Sequence, residues 1–138
     1  MNTNQNYGIA LHILGYLAYK EDYVSSKNLA NSINTNPVVV RRILGVLSKQ
    51  GIIETKRGHF GSRLNKKPED ISFYDVYKLF NEGIISGPKH EPNQDCPVGM
   101  IINDVVTNVL IKKTIEYESS LKNHNIKDVL IELDEKRG

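Results

Sequence analysis

Residues 36–51, NPVVVRRILGVLSKQG, are closed at both ends by residues that leave the backbone few choices. Asn36 is a good helix N-cap, and Pro37 suits the first helical position, where its missing N–H is not needed. Gly51 ends the helix as a left-handed cap. The segment therefore predicts a helix over 37–50. At 100° per residue Val40, Ile43, Leu44 and Leu47 share one face, the spacing of a core-facing stripe. Val38, Arg42, Gly45 and Lys49 fall on the opposite face, flanked by Arg41 and Ser48. A helix held by its apolar side thus carries a basic outer ridge. Gly45 in mid-helix costs about 1 kcal/mol relative to alanine. Its missing side chain leaves room for something to approach closely, and a tight helix crossing is an equally physical reason.

The flanking sequence supplies partners for the apolar stripe. Tyr7, Ala10, Leu11, Leu14, Leu17 and Ala18 recur at helical spacing and predict a first helix over 6–20. VSSKNLANSI predicts a short second helix, capped by Ser25 or Ser26, with Val24 as a possible staple and Leu29, Ala30 and Ile33 inward. After the third helix, the β-prone runs IIETK and SRLNK flank the turn RGHFG and predict a hairpin. Pro68 opens a fourth helix, PEDISFYDVYKLFNEG, with Ile71, Val76, Leu79 and Phe80 inward and Gly83 at its end. A Pro- and Gly-rich loop, GIISGPKHEPNQDCPVG, leads into a long helix over about 98–123. In the tail NIKDVLIELDEK, Asn125 suits a helix cap with Asp128 three residues on, but DVLIEL fits a strand as well.

The chain's 138 residues suffice for one domain, or one domain plus an appendage. No apolar run reaches the roughly 18–20 residues that span a bilayer. MNTNQNYG lacks the basic-then-apolar order of a secretory signal. Cys96 is the single cysteine, so no internal disulfide forms, and the expected compartment is the cytoplasm. The net charge of +2 conceals a split: residues 1–67 hold ten Lys/Arg and three Asp/Glu, and residues 68–138 hold eight and thirteen. The first half is thus basic and the second acidic. This points to a basic face with a polyanionic partner.

Two helices joined by a tight turn, the second with a basic outer face, are the parts of a helix-turn-helix. Its second helix enters the major groove. The hairpin is then a wing, with Lys56, Arg57, His59, Arg63, Lys66 and Lys67 on or beside it and Phe60 at its tip. A basic two-stranded finger suits the minor groove or the phosphates. The candidate DNA-contacting set is Ser25, Ser26, Asn36, Pro37, Val38, Arg41, Arg42 and Lys49, with Lys56, Arg57, His59 and Arg63 on the wing. Catalysis is not expected. No Ser/His/Asp arrangement, phosphate-cradling loop or metal-binding repeat is present, and His12, His59, His90 and His124 are scattered. A winged helix used only for protein contact is the remaining rival, and the basic ridge argues against it, since interface centres are depleted in lysine.

Five segments carry a resemblance along nearly the full length: YGIALHILGYLAY, SSKNLANSINTNPVVVRRILGVLSKQGII, TKRGHFGSRL, PEDISFYDVYKLF and CPVG. They resemble the Rrf-two family of bacterial winged-helix transcription regulators, and within it the YwnA-like branch of Gram-positive bacteria. The resemblance implies a mainly α fold with a small β-hairpin, a winged helix-turn-helix over 1–83 and a loop, long dimerisation helix and tail over 84–138. It implies a homodimer on a partly palindromic operator, acting as a repressor or sometimes an activator. Ile101, Ile102, Val105 and Val109 form the expected dimerisation stripe, with Val106, Leu110 and Ile111 widening it beyond one face. A single larger core within the monomer is the alternative use of that stripe.

The chain departs from the family in two places. Several members hold an iron–sulfur cluster through three cysteines in the loop before the long helix; here that loop has Cys96 alone. His90, Glu91 and Asp95 lie near it in no recognised metal spacing, so no cofactor and no cluster are expected. The wing reads Gly61–Ser62 where a paired glycine is commoner. Cys96 is then either an inert small side chain or a redox switch, and an unnamed small molecule is a further candidate signal.

Overall fold

A computed structural model describes residues 3–56, 61–80 and 92–137. The elements in order are α1 (Thr3–Lys20), α2 (Ser26–Ile33), α3 (Pro37–Lys49), β1 (Ile53–Lys56), β2 (Gly61–Leu64), a 3-10 turn (Pro68–Asp70), α4 (Phe73–Phe80), α5 (Pro97–Leu121) and α6 (Ile126–Arg137). The first helix starts three residues earlier than the apolar spacing suggests.

Helix α1 is the centre of the body. Its Ala10, Ile13, Leu14 and Leu17 are buried, and it touches α2, α3, α4, α6 and β2. The stripe on α3 meets it as expected: Val40, Ile43, Leu44 and Leu47 are buried together with Leu29 and Ala30 of α2. The turn between α2 and α3 is short. Asn34 takes the left-handed conformation (φ 62°), and Asn36 caps α3 by accepting the Val38 N–H at 2.8 Å. Gly51, at φ 75°, closes the other end. Its N–H donates to the Ser48 carbonyl at 3.0 Å, and the Ile52 N–H donates to the Leu47 carbonyl at 3.1 Å. That pair of bonds, with Ile52 buried behind it, is a Schellman motif.

The strands β1 and β2 pair antiparallel, with Glu54 opposite Arg63 and Thr55 opposite Ser62. The hairpin is tied to the body through Val24. The Val24 N–H donates to the Ser62 carbonyl and the Ser62 N–H to the Val24 carbonyl, both at 2.9 Å. A Cβ at position 61 would meet the Val24 carbonyl oxygen at 2.9 Å, so only glycine admits this approach. At the second place of the commoner glycine pair, Ser62 is buried, and its hydroxyl lies 2.9 Å from that of Thr55. The expected wing tip, with Arg57, His59 and Phe60, lies outside the described residues.

One expected element is corrected. The helix predicted from Pro68 onward is a 3-10 turn, a break at Ile71 and a helix that starts at Phe73. Two local bonds stop it from being continuous. The Ser72 hydroxyl accepts the Asp75 N–H at 3.0 Å and the Asp75 carboxylate accepts the Ser72 N–H at 3.1 Å, a capping box. The backbone at the break is also used elsewhere: the Ile71 carbonyl accepts the Ile126 N–H at 3.0 Å, and the Phe73 N–H donates to the His124 carbonyl at 2.8 Å. Ile71 and Val76 are buried as expected, Leu79 and Phe80 are half-buried, and Tyr77 is buried besides. The Gly83 end lies outside the described residues.

The tail is a helix rather than a strand. Asn125 and Asp128 cap it reciprocally, at 3.0 and 3.1 Å. Helix α6 returns to pack on α1 and on the 3-10 turn, with Ile126 in the core. Helix α5 runs Pro97–Leu121 and spans about 37 Å at 1.5 Å per residue. Among the described residues, the body holds it at its C-terminal end. There Tyr77 stacks edge-on against Tyr117 at 5.7 Å and against Tyr7 at 5.8 Å, and Leu121 is buried. Burial pushes the Tyr77 hydroxyl up to about 12.

Candidate nucleic-acid interface

The outer face of α3 is presented by an unusually constrained helix: capped at both ends, sealed to the core by four buried side chains. Val38, Arg41, Arg42, Gly45, Ser48 and Lys49 are all exposed along it. Arg41, Arg42 and Lys49 form no ion pair with a described residue. They are therefore available to an external anion. The ridge borders an open groove of about 620 Å³ between α3 and the hairpin. Ser26 of α2, Ser48 and Lys49 of α3, and Thr55 and Ser62 of the hairpin line it.

The remaining candidates divide by what their atoms already do. The Ser25 hydroxyl accepts the Asn28 N–H at 3.1 Å, and the Asn36 side-chain oxygen is bonded to Val38 N–H. Both are therefore caps. Pro37 and Val38 stand exposed at the tip of α3, and Lys56 is exposed on β1. Arg57 and His59 lie outside the described residues.

Arg63 is not part of the ridge. Its Nε donates to Glu54 Oε1 at 2.8 Å, and its guanidinium sits 4.7 Å from the Tyr23 ring centre. The Tyr23 hydroxyl donates to the same Glu54 oxygen at 2.6 Å. These hydrogen bonds, that of Tyr23 first, hold the Glu54 carboxyl below its ordinary range. Alternation along the strands puts Glu54 and Arg63 on the face opposite Thr55 and Ser62, hence away from the groove. Sequence spacing did not reveal this arrangement, because it needs the hairpin register and Tyr23 from the α1–α2 connection.

Gly45 has a plainer status in three dimensions than in sequence. A Cβ built there meets nothing within 4 Å, so a tight helix crossing inside the chain is not its reason. Gly45→Ala is expected to raise stability by about 1 kcal/mol, read as a higher urea midpoint at unchanged m-value. A loss of stability would mean that the open space is filled by a contact within the folded chain.

Residues 3–132 match the family model described as Rrf2, iron-dependent transcriptional regulator. The chain belongs to the Rrf2 (Rrf-two) family. It is 36% identical over 128 residues to the Bacillus subtilis protein named as the HTH-type transcriptional regulator YwnA, covering 92% of this chain and 96% of that one. Among solved structures it is similar to a crystal structure described as that of a DNA binding protein, at 34% identity and a TM-score of 0.74, covering 91% of this chain and 98% of that one. Staphylococcus aureus CymR in its oxidized form shares the fold at 22% identity and a TM-score of 0.70, covering 92% and 94%. Rrf2 proteins are transcriptional regulators, not enzymes, and the winged helix with its two-stranded hairpin is their architecture.

The iron in the family's description finds no three-thiolate site here, because the chain has one cysteine. Cys96 is exposed and serves as the N-cap of α5, its sulfur accepting the Gly99 N–H at 3.3 Å. Among the described residues no group of three His, Cys, Asp or Glu side chains is placed to hold a metal ion. His90 and Glu91 lie outside those residues. No described helix is long and apolar enough to cross a membrane.

Proposed function

We propose that this Rrf2 protein is a sequence-specific DNA-binding repressor that acts as a homodimer. The recognition helix 37–50 enters the major groove, and the wing 52–66 lies on the minor groove or the phosphates of a partly palindromic operator. The observation that carries this reading is the ridge of Arg41, Arg42 and Lys49, exposed and without a described ionic partner on a helix fixed at both ends. Arginine matches guanine edges bidentately, and lysine suits phosphate as a point charge. Arg63, already held by Glu54, acts as a brace for the wing rather than as a base reader in this reading.

Dimerisation is supported by α5. Ile101 is 63% exposed and Val105 55% exposed, with Ile102 and Val109 exposed on the same helix. An apolar helix face left exposed among the described residues calls for a partner surface, and a twofold copy supplies one. The division at residues 83 and 84 then separates the DNA-reading part from the pairing part in function, although α6 packs back on α1. No cysteine-held cluster belongs to this reading. Cys96 supports a second reading, a redox-responsive regulator, because its exposed thiol caps the N-terminus of the pairing helix. An unnamed small-molecule effector is compatible with either.

The test is fluorescence anisotropy of the reduced protein with DNA from upstream of its own gene and with random DNA, across a salt series. Tight, preferential binding with a steep salt slope is the expected result. No binding to either duplex at low salt would retire the DNA reading in favour of a protein-contact module. Peroxide should alter affinity in the native protein and not in Cys96→Ser if the redox reading holds; equal responses would sink it.

A further inference from the structure

Among described residues 3–80, two large apolar side chains are exposed, Tyr19 and Val38. Tyr19 is covered by a neighbour, since the Arg137 guanidinium lies 5.0 Å over its ring and bonds its hydroxyl. Val38 has no such cover and is the more exposed of the two, at 57%. It occupies the second position of α3, with Arg41 and Arg42 one turn further along. The polar side chain beside it is turned back to the helix: Asn36 Oδ1 accepts the Val38 N–H at 2.8 Å. The tip of the helix therefore presents Pro37 and a β-branched isopropyl group, stiff at χ1 and unable to form a hydrogen bond.

Base edges in the major groove differ in a way that this surface can read. Every base presents hydrogen-bonding atoms there, which an apolar side chain would strip of water without replacement, and thymine alone adds a methyl group beside its O4 that an apolar side chain can cover. We infer that Val38 is a specificity-determining residue that reads the C5-methyl of a thymine in each operator half-site, beside the position taken by the two arginines. The inference rests on the DNA reading above and adds to it the chemistry of one base pair.

The probe is a duplex enriched from a random library by the wild-type protein. Each thymine is replaced in turn by deoxyuridine, which removes the methyl and keeps the Watson–Crick edge. At one position per half-site the wild type should lose affinity roughly three- to tenfold. Val38→Ala should bind the thymine and deoxyuridine duplexes alike at that position, while keeping its response to changes at guanine. Folding of the variant is checked by circular dichroism; Val38 is outside the core and alanine favours helix. Deoxyuridine without effect at every position, or a Val38→Ala protein as sensitive as the wild type, would overturn the inference. A library from which the wild type enriches no sequence would remove the DNA reading itself, and this inference with it.

Discussion

Val105→Asp is expected to yield a folded monomer whose operator affinity falls by at least about a hundredfold. Val105 lies outside the buried core, so the substitution leaves the winged-helix body untouched. Its effect comes from the proposed pairing of α5 with a second copy. Fully burying a valine or isoleucine side chain contributes about 1.5–3 kcal/mol; Ile101, Ile102, Val105 and Val109 are already about half covered, so on two chains they contribute about 6–12 kcal/mol, comparable to an association cost of about 4–15 kcal/mol. An aspartate in that seam brings an unpaired charge, and near a twofold axis it brings two. Loss of the dimer leaves one helix-turn-helix on one half-site, which discards the second set of base and phosphate contacts. Sedimentation equilibrium and anisotropy on the same samples check both halves of the expectation. A variant that stays dimeric and keeps full affinity would place the pairing surface elsewhere and leave the apolar face of α5 to another partner.

The second large effect separates roles along α3. Arg42→Ala should lose about 1–3 kcal/mol on the preferred operator and relax base preference at one position per half-site. Lys49→Ala should weaken preferred and random sequences alike and flatten the salt slope by about one unit. The distinction follows from position. Arg42 is in the second turn, near the helix end proposed to face base edges, and Lys49 is in the last turn, beside the groove wall. Affinity across a panel of point-changed operators at several salt concentrations gives both quantities. Equal losses on every sequence in both mutants would erase the division into base and phosphate contacts.

The residues that made this chain legible are those whose signals act over one helical turn. Asn36, Pro37 and Gly51 bound α3 to within a residue, because capping needs only neighbours three or four positions away. The same range explains the tail, where Asn125 and Asp128 cap each other. It also explains one miss. Ser72 and Asp75 carry an equally local capping signal, but Pro68 supplied an earlier start that the sequence favoured just as well. The choice between them fell to the pairing of Ile71 and Phe73 with residues 124–126, a contact between segments far apart in the chain.

The sequence by itself determined the bounds of α3, its apolar stripe and the basic ridge opposite it, since capping, periodicity and charge are properties of neighbouring residues. Tertiary structure decided which of those charges are free. Arg63 and Arg41 read alike in sequence, yet Arg63 is bound to Glu54 under Tyr23 and Arg41 borders the groove. It also decided that Gly45 faces open space and that Ile101, Ile102, Val105 and Val109 of α5 are exposed. These outcomes depend on hairpin register and on how distant helices cross, and the chain specifies them only through the packing of the whole core.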